Sequence, residues 1–180
     1  MKPVLIHLNS YPGVGKLTIG RLVEDQIGGK LLDNHSIYNV ALALTPFKSD
    51  EYYQAIRDVR QVAYDLVEGL PRERPVILTN AHSQDSDWGN ASWDAAIDLA
   101  QRTERAHCVV LLTCSRAENA RRIQSAERDA RRKPRDPNLF RQGETDRPLI
   151  ERGADRLLRL EVTDLSAEAA ASTILRWLQS

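Results

Sequence analysis

The stretch Asn9-Ser10-Tyr11-Pro12-Gly13-Val14-Gly15-Lys16-Leu17-Thr18 decides the fold of this chain. It follows a short apolar run, Val4-Leu5-Ile6-His7-Leu8, which is typical of a buried parallel strand. Apolar side chains then recur every three or four residues, which predicts an amphipathic helix from near Lys16. These side chains are Ile19, Leu22, Val23 and Ile27. A turn between such a strand and such a helix is the context of a phosphate-binding loop.

Each part of the stretch has a role in binding a polyphosphate. Gly13 and Gly15 let backbone N–H groups turn towards an anion, and the start of the helix adds further donors. Lys16 can reach the β- and γ-phosphates as a point charge. The candidate nucleotide-binding residues here are Pro12, Gly13, Val14, Gly15, Lys16, Leu17 and Thr18. The alternative is a glycine-rich turn with an exposed lysine.

The stretch departs twice from the pattern G-x-x-x-x-G-K-[ST]. Ser10 stands at the first glycine, and Leu17 stands where a hydroxyl residue normally binds Mg²⁺. In this respect the sequence resembles the adenylate-kinase-like branch of P-loop kinases, in which an apolar residue follows the lysine and a threonine comes next. The resemblance implies that Thr18 contacts phosphate and that Mg²⁺ binds together with ATP.

Composition narrows the possible partners. The chain of 180 residues has 25 basic and 25 acidic side chains, so its charge favours neither nucleic acid nor an anionic membrane. Its length is typical of one domain, residues 1–180. Lys2 precedes only a strand-length apolar run and no stretch has membrane-spanning length, so we expect a cytoplasmic protein. The sequence leaves the oligomeric state open.

A second strand, Lys30 to Leu32, leads into Asp33. The likeness to shikimate- and gluconate-kinase-like proteins implies that Asp33 faces the γ-phosphate and the acceptor hydroxyl. There it would orient or deprotonate the acceptor and contribute to Mg²⁺ binding. The residues alone also allow Asp33 or Ser36 to be the N-cap of a helix from Ile37 to Leu44. His35 is a further candidate.

Residues 36–70 form the expected acceptor-binding segment, which includes a long helix from about Asp50 to Leu70. Four of its side chains are candidates for acceptor contact or, alternatively, for packing: Tyr38, Tyr52, Tyr53 and Arg57. Two tryptophans follow farther along the chain. We expect Trp93 to pack at the start of a helix from Trp93 to Thr103, whereas Trp88 lies in a polar loop with an open role.

The third predicted strand, Pro75 to Asn80, ends in Thr79-Asn80. Ligands collect at the carboxyl ends of parallel strands, and a carboxylate at this position would be the usual partner of Mg²⁺. Because the chain has none there, Asp33 becomes the main candidate metal ligand, with Thr18 beside it.

The fourth strand, His107 to Thr113, precedes an arginine-rich segment. Residues 116–147 contain ten basic and six acidic side chains. This cluster resembles the lid of P-loop kinases, here at about residues 125–145. The resemblance implies that Arg121 or Arg122 stacks on adenine and that three lid arginines reach the phosphates: Arg128, Arg132 and Arg141. The alternative is an exposed helix with salt bridges such as Glu127 to Arg131.

Two cysteines, Cys108 and Cys114, lie at the ends of the fourth strand and are expected to be buried thiols rather than a disulfide. A fifth strand, Arg156 to Val162, and a terminal helix complete the pattern. Alternating strands and helices predict an α/β fold with three α/β/α layers and a five-stranded parallel sheet, the P-loop NTPase fold, with a short arginine-rich lid.

The combined features predict an ATP-dependent phosphotransferase, with ATP and Mg²⁺ as cofactors and a small hydroxyl-bearing metabolite or antibiotic as acceptor. A nucleoside monophosphate kinase is an alternative, but residues 36–70 offer only Lys48, Arg57 and Arg60 to hold a phosphate. A regulatory NTPase without an acceptor is another alternative, favoured by Leu17. A nucleic-acid kinase is the weakest, since only the arginine-rich segment supports it.

Overall fold

The computed structural model describes residues 3–124 and 147–180. The strands in these residues are β1 (Val4–Ser10), β2 (Lys30–Asp33), β3 (Val76–Asn80), β4 (Ala106–Thr113) and β5 (Arg156–Glu161). The helices are α1 (Lys16–Ile27), α2 (Asn34–Leu44), α3 (Asp50–Glu68), α4 (Asp87–Arg102), α5 (Arg116–Ile123) and α6 (Ala167–Gln179). None of these helices combines the length and the apolar character that crossing a membrane requires.

The five strands form one sheet in the order β2-β3-β1-β4-β5, and every neighbouring pair is parallel. Helices α1 and α6 pack on one face of the sheet, where Ile19 and Ile174 meet Ile6 and Leu8 of β1. Helices α3 and α4 cover the opposite face, where Leu5 lies. This confirms the predicted fold class of a parallel sheet between two helical layers.

The central strand β1 determines where a ligand can bind. All seven of its residues are buried, as expected for a strand with helices on both faces. From β1 the chain crosses to β2 on one side, whereas from β3 it crosses to β4 on the other. Parallel sheets bind ligands in the crevice beyond such a switch point. The loop after β1 and the residues after β3 border this crevice.

Two predicted helix boundaries were wrong. Helix α2 begins at Asn34, directly after β2, and not at Ile37. Helix α4 begins at Asp87, six residues before Trp93, because the Ser86 hydroxyl caps it by accepting the N–H of Gly89. Glycine is typical of loops, but within α4 the backbone at Gly89 packs closely, since an added Cβ would lie 3.1 Å from the Ser83 carbonyl oxygen. Trp88 is therefore on a helix and not in a loop.

Both cysteines are free thiols, as predicted. Cys108 is buried in β4, and Cys114 is half-buried just after the strand. Burial raises the pKa of each thiol. A raised pKa lowers the thiolate fraction and with it the reactivity. The two side chains therefore act as small apolar groups of the core.

A pair of histidines lies in the core between β1 and β4. His7 is fully buried, its Nδ1 lies 3.1 Å from Nε2 of His107, and its ring stacks on Trp93 at 4.3 Å between centroids. Nε2 of His7 has no hydrogen-bond partner among the residues described here. Burial is the main cause that lowers the pKa of both imidazoles, and it lowers that of His7 so far that this ring is neutral at pH 7.

We expect the free energy of unfolding to decrease as the pH falls from about 7 to about 5. The unfolded chain takes up protons near the ordinary histidine pKa of about 6.5, whereas the folded protein takes up fewer, because the pKa of His7 lies well below this value and that of His107 is lowered. Each such histidine contributes up to about 1.4 kcal/mol per pH unit. Urea unfolding at the two pH values measures the loss, and His7→Leu should show a smaller pH dependence. Equal stability at both values would contradict neutral burial.

Candidate active site

The loop between β1 and α1 takes a shape that requires glycine at two positions. Gly13 has φ of 92° and Gly15 has φ of 112°, a left-handed region in which other residues are strained. At Gly13 space is also limiting, since an added Cβ would lie 2.6 Å from Cγ1 of Ile123. Both glycines of the sequence motif are therefore explained by the backbone.

Three consecutive amides of the loop are available to bind an anion. Within residues 3–124 and 147–180, the N–H groups of Gly13, Val14 and Gly15 have no hydrogen-bond acceptor. They lie at the start of α1, where a helix presents unpaired N–H groups and a partial positive charge. Buried or half-buried amides rarely remain unpaired in a folded protein. An anion such as a phosphate would satisfy them.

The ammonium group of Lys16 lies across the same loop. Nζ donates to the carbonyl oxygens of Ser10 and Tyr11, both at 3.0 Å, and to the Ser10 hydroxyl at 2.9 Å. Ser10, which stands where the motif has glycine, donates its hydroxyl proton to the Tyr11 carbonyl at 3.0 Å. The departure at Ser10 thus gives the lysine an additional hydrogen-bond acceptor at the mouth of the loop.

Helix α5 packs against the opposite side of the loop. The Asn119 amide donates to the Pro12 carbonyl at 2.8 Å, and Nη1 of Arg122 donates to the Val14 carbonyl at 2.8 Å. Nη2 of Arg122 also donates to the Val162 carbonyl at 2.8 Å, and its Nε donates to Glu118 at 2.6 Å. Arg122 therefore contacts the backbone of the loop, and its expected contact with adenine stays a prediction.

Asp33, the candidate acceptor-site carboxylate, lies at the carboxyl end of β2. Its register partner Thr79 on β3 donates a hydroxyl proton to Oδ1 at 2.6 Å. Asp33 occupies the N-cap position of α2, but its side chain makes no capping hydrogen bond. Oδ2 has no partner among the described residues. The carboxylate is thus held at the sheet edge with one oxygen available.

One strand, β3, lies between β2, which ends in Asp33, and β1, which leads into the loop. Asp33 pairs with Thr79, which in turn pairs with Leu8 of β1. Two strand spacings amount to about 10 Å. This distance leaves room for a phosphoryl group and an acceptor hydroxyl between the two sites. The residues after β3 line the gap.

A small, partly open cavity of about 20 Å³ is lined by Leu32 and Asn34, the neighbours of Asp33 in the chain. The ends of β2 and β3 and helices α2, α3 and α4 surround it, and its polar lining consists of Asn34, Tyr38, Arg60, Tyr64, Asn80, His82 and Ser92. Arg60 is the cation of this lining: Nη1 donates to the Ser92 hydroxyl at 2.8 Å, and the guanidinium lies 5.6 Å from the Trp88 ring centroid. Within the described part of the chain, Arg60 forms no salt bridge.

His82 is a site residue that the sequence alone did not single out. Its backbone N–H donates to Asn9 Oδ1 at 2.9 Å, and its Nε2 lies 2.5 Å from the Asn80 amide nitrogen. Burial and the nearby charges of Arg60 and Lys16 lower the pKa of His82 to about 3. His82 is therefore a neutral hydrogen-bonding group between the loop and the cavity. Its position two residues after a buried strand was the available signal.

The four candidates for acceptor contact separate into different environments. Tyr38 lines the cavity, and its hydroxyl accepts a hydrogen bond from the Trp88 indole at 2.9 Å. Tyr52 is buried among apolar side chains, and Tyr53 packs on Trp88 with 4.8 Å between ring centroids. Arg57 is exposed and donates to Gln54. Of the four, only Tyr38 lines the cavity.

The remaining predicted site residues are the lid arginines and Thr18. The lid residues Arg128, Arg132 and Arg141 lie outside the described residues. Thr18 is exposed on the first turn of α1. Among the residues described, no group of three or more histidine, cysteine or acidic side chains could hold a metal ion. A single carboxylate such as that of Asp33 is nonetheless compatible with Mg²⁺, because this ion commonly takes most of its ligands from phosphate oxygens and water.

Comparison with known proteins finds solved structures with a similar fold. Neither a scan against protein-family models nor a search of curated proteins found a match. The APS kinase CysC of Mycobacterium tuberculosis, solved with AMPPNP and APS, is 18% identical with a TM-score of 0.65, and the alignment covers 99% of both chains.

Two other solved kinases are similar. Shikimate kinase of Acinetobacter baumannii, solved with shikimate, is 19% identical with a TM-score of 0.58, covering 99% of this chain and 94% of that chain. A gluconokinase of Sinorhizobium meliloti is 16% identical with a TM-score of 0.60, covering 99% and 98%. The chain therefore has the fold of the P-loop kinases, as the sequence predicted.

Proposed function

We propose that this protein is an ATP-dependent phosphotransferase that moves the γ-phosphoryl group to a hydroxyl of a small acceptor. The observation that carries the proposal is that the N–H groups of Gly13, Val14 and Gly15 have no acceptor among the described residues, on the same loop as the ammonium of Lys16. Amides and an ammonium group at a helix start are the chemistry that binds a triphosphate. The similar fold of three kinases with different substrates is consistent with this activity.

Asp33 is the group we assign to the acceptor. Thr79 holds Oδ1, so Oδ2 can accept a hydrogen bond from the acceptor hydroxyl and orient it towards the γ-phosphate. As the hydroxyl oxygen bonds to the γ-phosphorus, the bond from that phosphorus to the β–γ bridging oxygen breaks and ADP leaves, while the hydroxyl proton can pass to the same carboxylate oxygen. Charge on the transferring group is stabilised by Lys16 and, in this proposal, by Arg128, Arg132 and Arg141.

Magnesium is part of the proposal because the residues present are compatible with it. Asp33 is the carboxylate that could hold the ion, with Thr18 contributing a hydroxyl or a water-mediated contact. When bound, the ion would neutralise negative charge on the β- and γ-phosphates. Leu17 cannot act as a ligand, so most of the coordination would come from phosphate oxygens and water.

Arg60 at this small cavity favours an acceptor that presents one negative group to it. Arg60 is a half-buried cation without a carboxylate partner in the described residues, and a carboxylate on the acceptor would supply that partner. The dianionic phosphate of a nucleoside monophosphate would need more basic side chains. Lys48 lies over Phe47 and Arg57 is exposed, and neither lines the cavity. We therefore place a small hydroxy acid ahead of a nucleotide.

A coupled assay of ADP release tests the proposed function. Pools of hydroxy acids, neutral sugars, nucleoside monophosphates and hydroxyl-bearing antibiotics are added in turn to the protein with MgATP. We expect ADP release that depends on the acceptor and is strongest in the pool of hydroxy acids. Saturable ATP binding without release from any pool would contradict phosphotransfer and would support the regulatory NTPase.

We expect Arg60→Met to raise KM for an acidic acceptor by about 10- to 100-fold, because a charge-assisted hydrogen bond is lost. The KM for ATP should stay unchanged, since the loop is untouched. Steady-state kinetics with each substrate varied separately measures both values. Arg176→Met is the matched control, because Arg176 is also a helical arginine but lies on α6, which packs on the other face of the sheet. An unchanged acceptor KM in Arg60→Met would exclude the assigned role.

A further inference from the structure

We infer that Asn119 and Arg122 of α5 are positioning residues that aim the N–H groups of Gly13 and Gly15 at the phosphates. The inference rests on the proposed function, because it takes a triphosphate as the ligand of the loop. It gives Arg122 a role other than stacking on adenine. Both side chains act through the backbone of the loop.

The argument begins with the geometry of the peptide bond. Every peptide bond of the described chain is trans, so the carbonyl and the N–H of one peptide unit point in opposite directions. Asn119 binds the carbonyl of Pro12, which belongs to the peptide unit that contains the N–H of Gly13. A carbonyl that points towards α5 therefore turns the Gly13 N–H away from α5.

Arg122 acts in the same way one turn farther along α5. It binds the carbonyl of Val14, which shares a peptide unit with the N–H of Gly15. The two carbonyls that alternate along the loop, those of Pro12 and Val14, are thus held on the side of α5. The N–H groups of the same two peptide units, those of Gly13 and Gly15, face the other side, where the described residues provide no acceptor. Convergent amides of this kind form an anion-binding nest.

Helix α5 is itself fixed, so it can hold the loop in one conformation. At its start, the Ser115 backbone N–H donates to the Thr163 hydroxyl at 2.7 Å. At its end, Ile123 packs against Gly13 so closely that a Cβ at Gly13 would not fit. Between them, Arg122 bridges the loop and the Val162 carbonyl. The loop, α5 and the turn after β5 are therefore tied together by side chains.

The contacts of Arg122 separate two possible roles. Its Nε, Nη1 and Nη2 all donate to protein oxygens, namely to Glu118, Val14 and Val162. A residue that stacks on adenine affects only ligands that contain the base. A residue that orients loop amides affects every ligand with the phosphate chain. Inorganic tripolyphosphate, which has the chain and no base, distinguishes the two.

Isothermal titration of the protein with ATP and with tripolyphosphate tests the inference. We expect Asn119→Ala and Arg122→Lys each to raise the Kd of both ligands by about tenfold, and by similar factors for the two ligands. Lysine keeps the charge of Arg122 but cannot donate to Val14 and Val162 at once. The effect on Kd then reflects orientation of the loop and not a lost charge.

Asn90→Ala is the matched control for Asn119→Ala. The Asn90 amide also donates to backbone carbonyls, those of Gln84 and Ser86, but it lies on α4 away from the loop. We expect the two variants to lose similar amounts of thermal stability, while Asn90→Ala keeps the wild-type Kd for both ligands. Equal weakening by the control would show a general structural effect and overturn the inference.

The remaining outcomes each decide a point. If Arg122→Lys weakens ATP but not tripolyphosphate, Arg122 contacts the base and the inference is wrong. If Asn119→Ala leaves both Kd values unchanged, the tether to Pro12 does not orient the loop and the inference is also wrong. Wild-type protein that binds both ligands, with variants weakened as expected, supports the inference even if no acceptor is phosphorylated, in which case the proposed transfer alone fails.

Discussion

Lys16→Ala is expected to lower kcat/KM for phosphoryl transfer by about a hundredfold or more. The ammonium group of Lys16 is the positive charge of the loop, where it donates to the Ser10 and Tyr11 carbonyls. Negative charge develops on the transferring group, so removal of this cation should affect kcat more than KM for ATP. Steady-state kinetics with the acceptor from the ADP-release assay measures the change.

Lys30→Ala is the control for Lys16→Ala, because Lys30 is an exposed lysine on the edge strand β2. It should keep wild-type kinetics. Circular dichroism and thermal unfolding should show both variants folded, since Lys16 is only half-buried and is not part of the apolar core. A folded Lys16→Ala protein with wild-type turnover would show that the loop does not hold the reacting phosphates.

Asp33→Asn is expected to reduce kcat by about 10²- to 10⁴-fold while the Kd for nucleotide changes little. Asparagine has nearly the same shape as aspartate, and its Oδ1 can still accept a hydrogen bond from the Thr79 hydroxyl. The side chain therefore keeps its place but loses the oxygen that can take a proton. Measuring kcat together with equilibrium binding of AMPPNP separates loss of transfer from loss of nucleotide binding.

Asp25→Asn serves as the control for this substitution, because Asp25 is an exposed carboxylate on α1. We expect it to have wild-type kcat. If Asp33→Asn also retained wild-type kcat, the carboxylate would have no role in activating or orienting the acceptor. A large increase in the Kd for AMPPNP with unchanged kcat would instead assign Asp33 to nucleotide binding.

The sequence predicted those parts of the molecule that depend on local pattern. The apolar run of β1, the two glycines and the apolar stripe of α1 are contiguous, so the loop and its flanking elements could be assigned from about twenty residues. The order of strands and helices then predicted a parallel sheet. Trp93 was expected to pack, and it is fully buried.

The candidate site was less predictable because its geometry depends on residues far apart in the chain. The sequence allowed Asp33 to cap a helix or to serve as a site carboxylate. In the structure its side chain instead accepts a hydrogen bond from Thr79, 46 residues away. The contacts of Arg122 with Val14 and Val162 span 108 and 40 residues. His82 has no local pattern, and its neutrality depends on burial beside two cations. Such contacts form only when the sheet assembles.

The central claim is that the amides of the loop bind a triphosphate chain, and amide NMR tests it most directly. Titration of ¹⁵N-labelled protein with AMPPNP should move the amide protons of Gly13, Val14 and Gly15 downfield and saturate together, because each N–H gains a phosphate oxygen as acceptor. Saturable binding that leaves these three resonances unchanged, or no binding at all, would contradict the account.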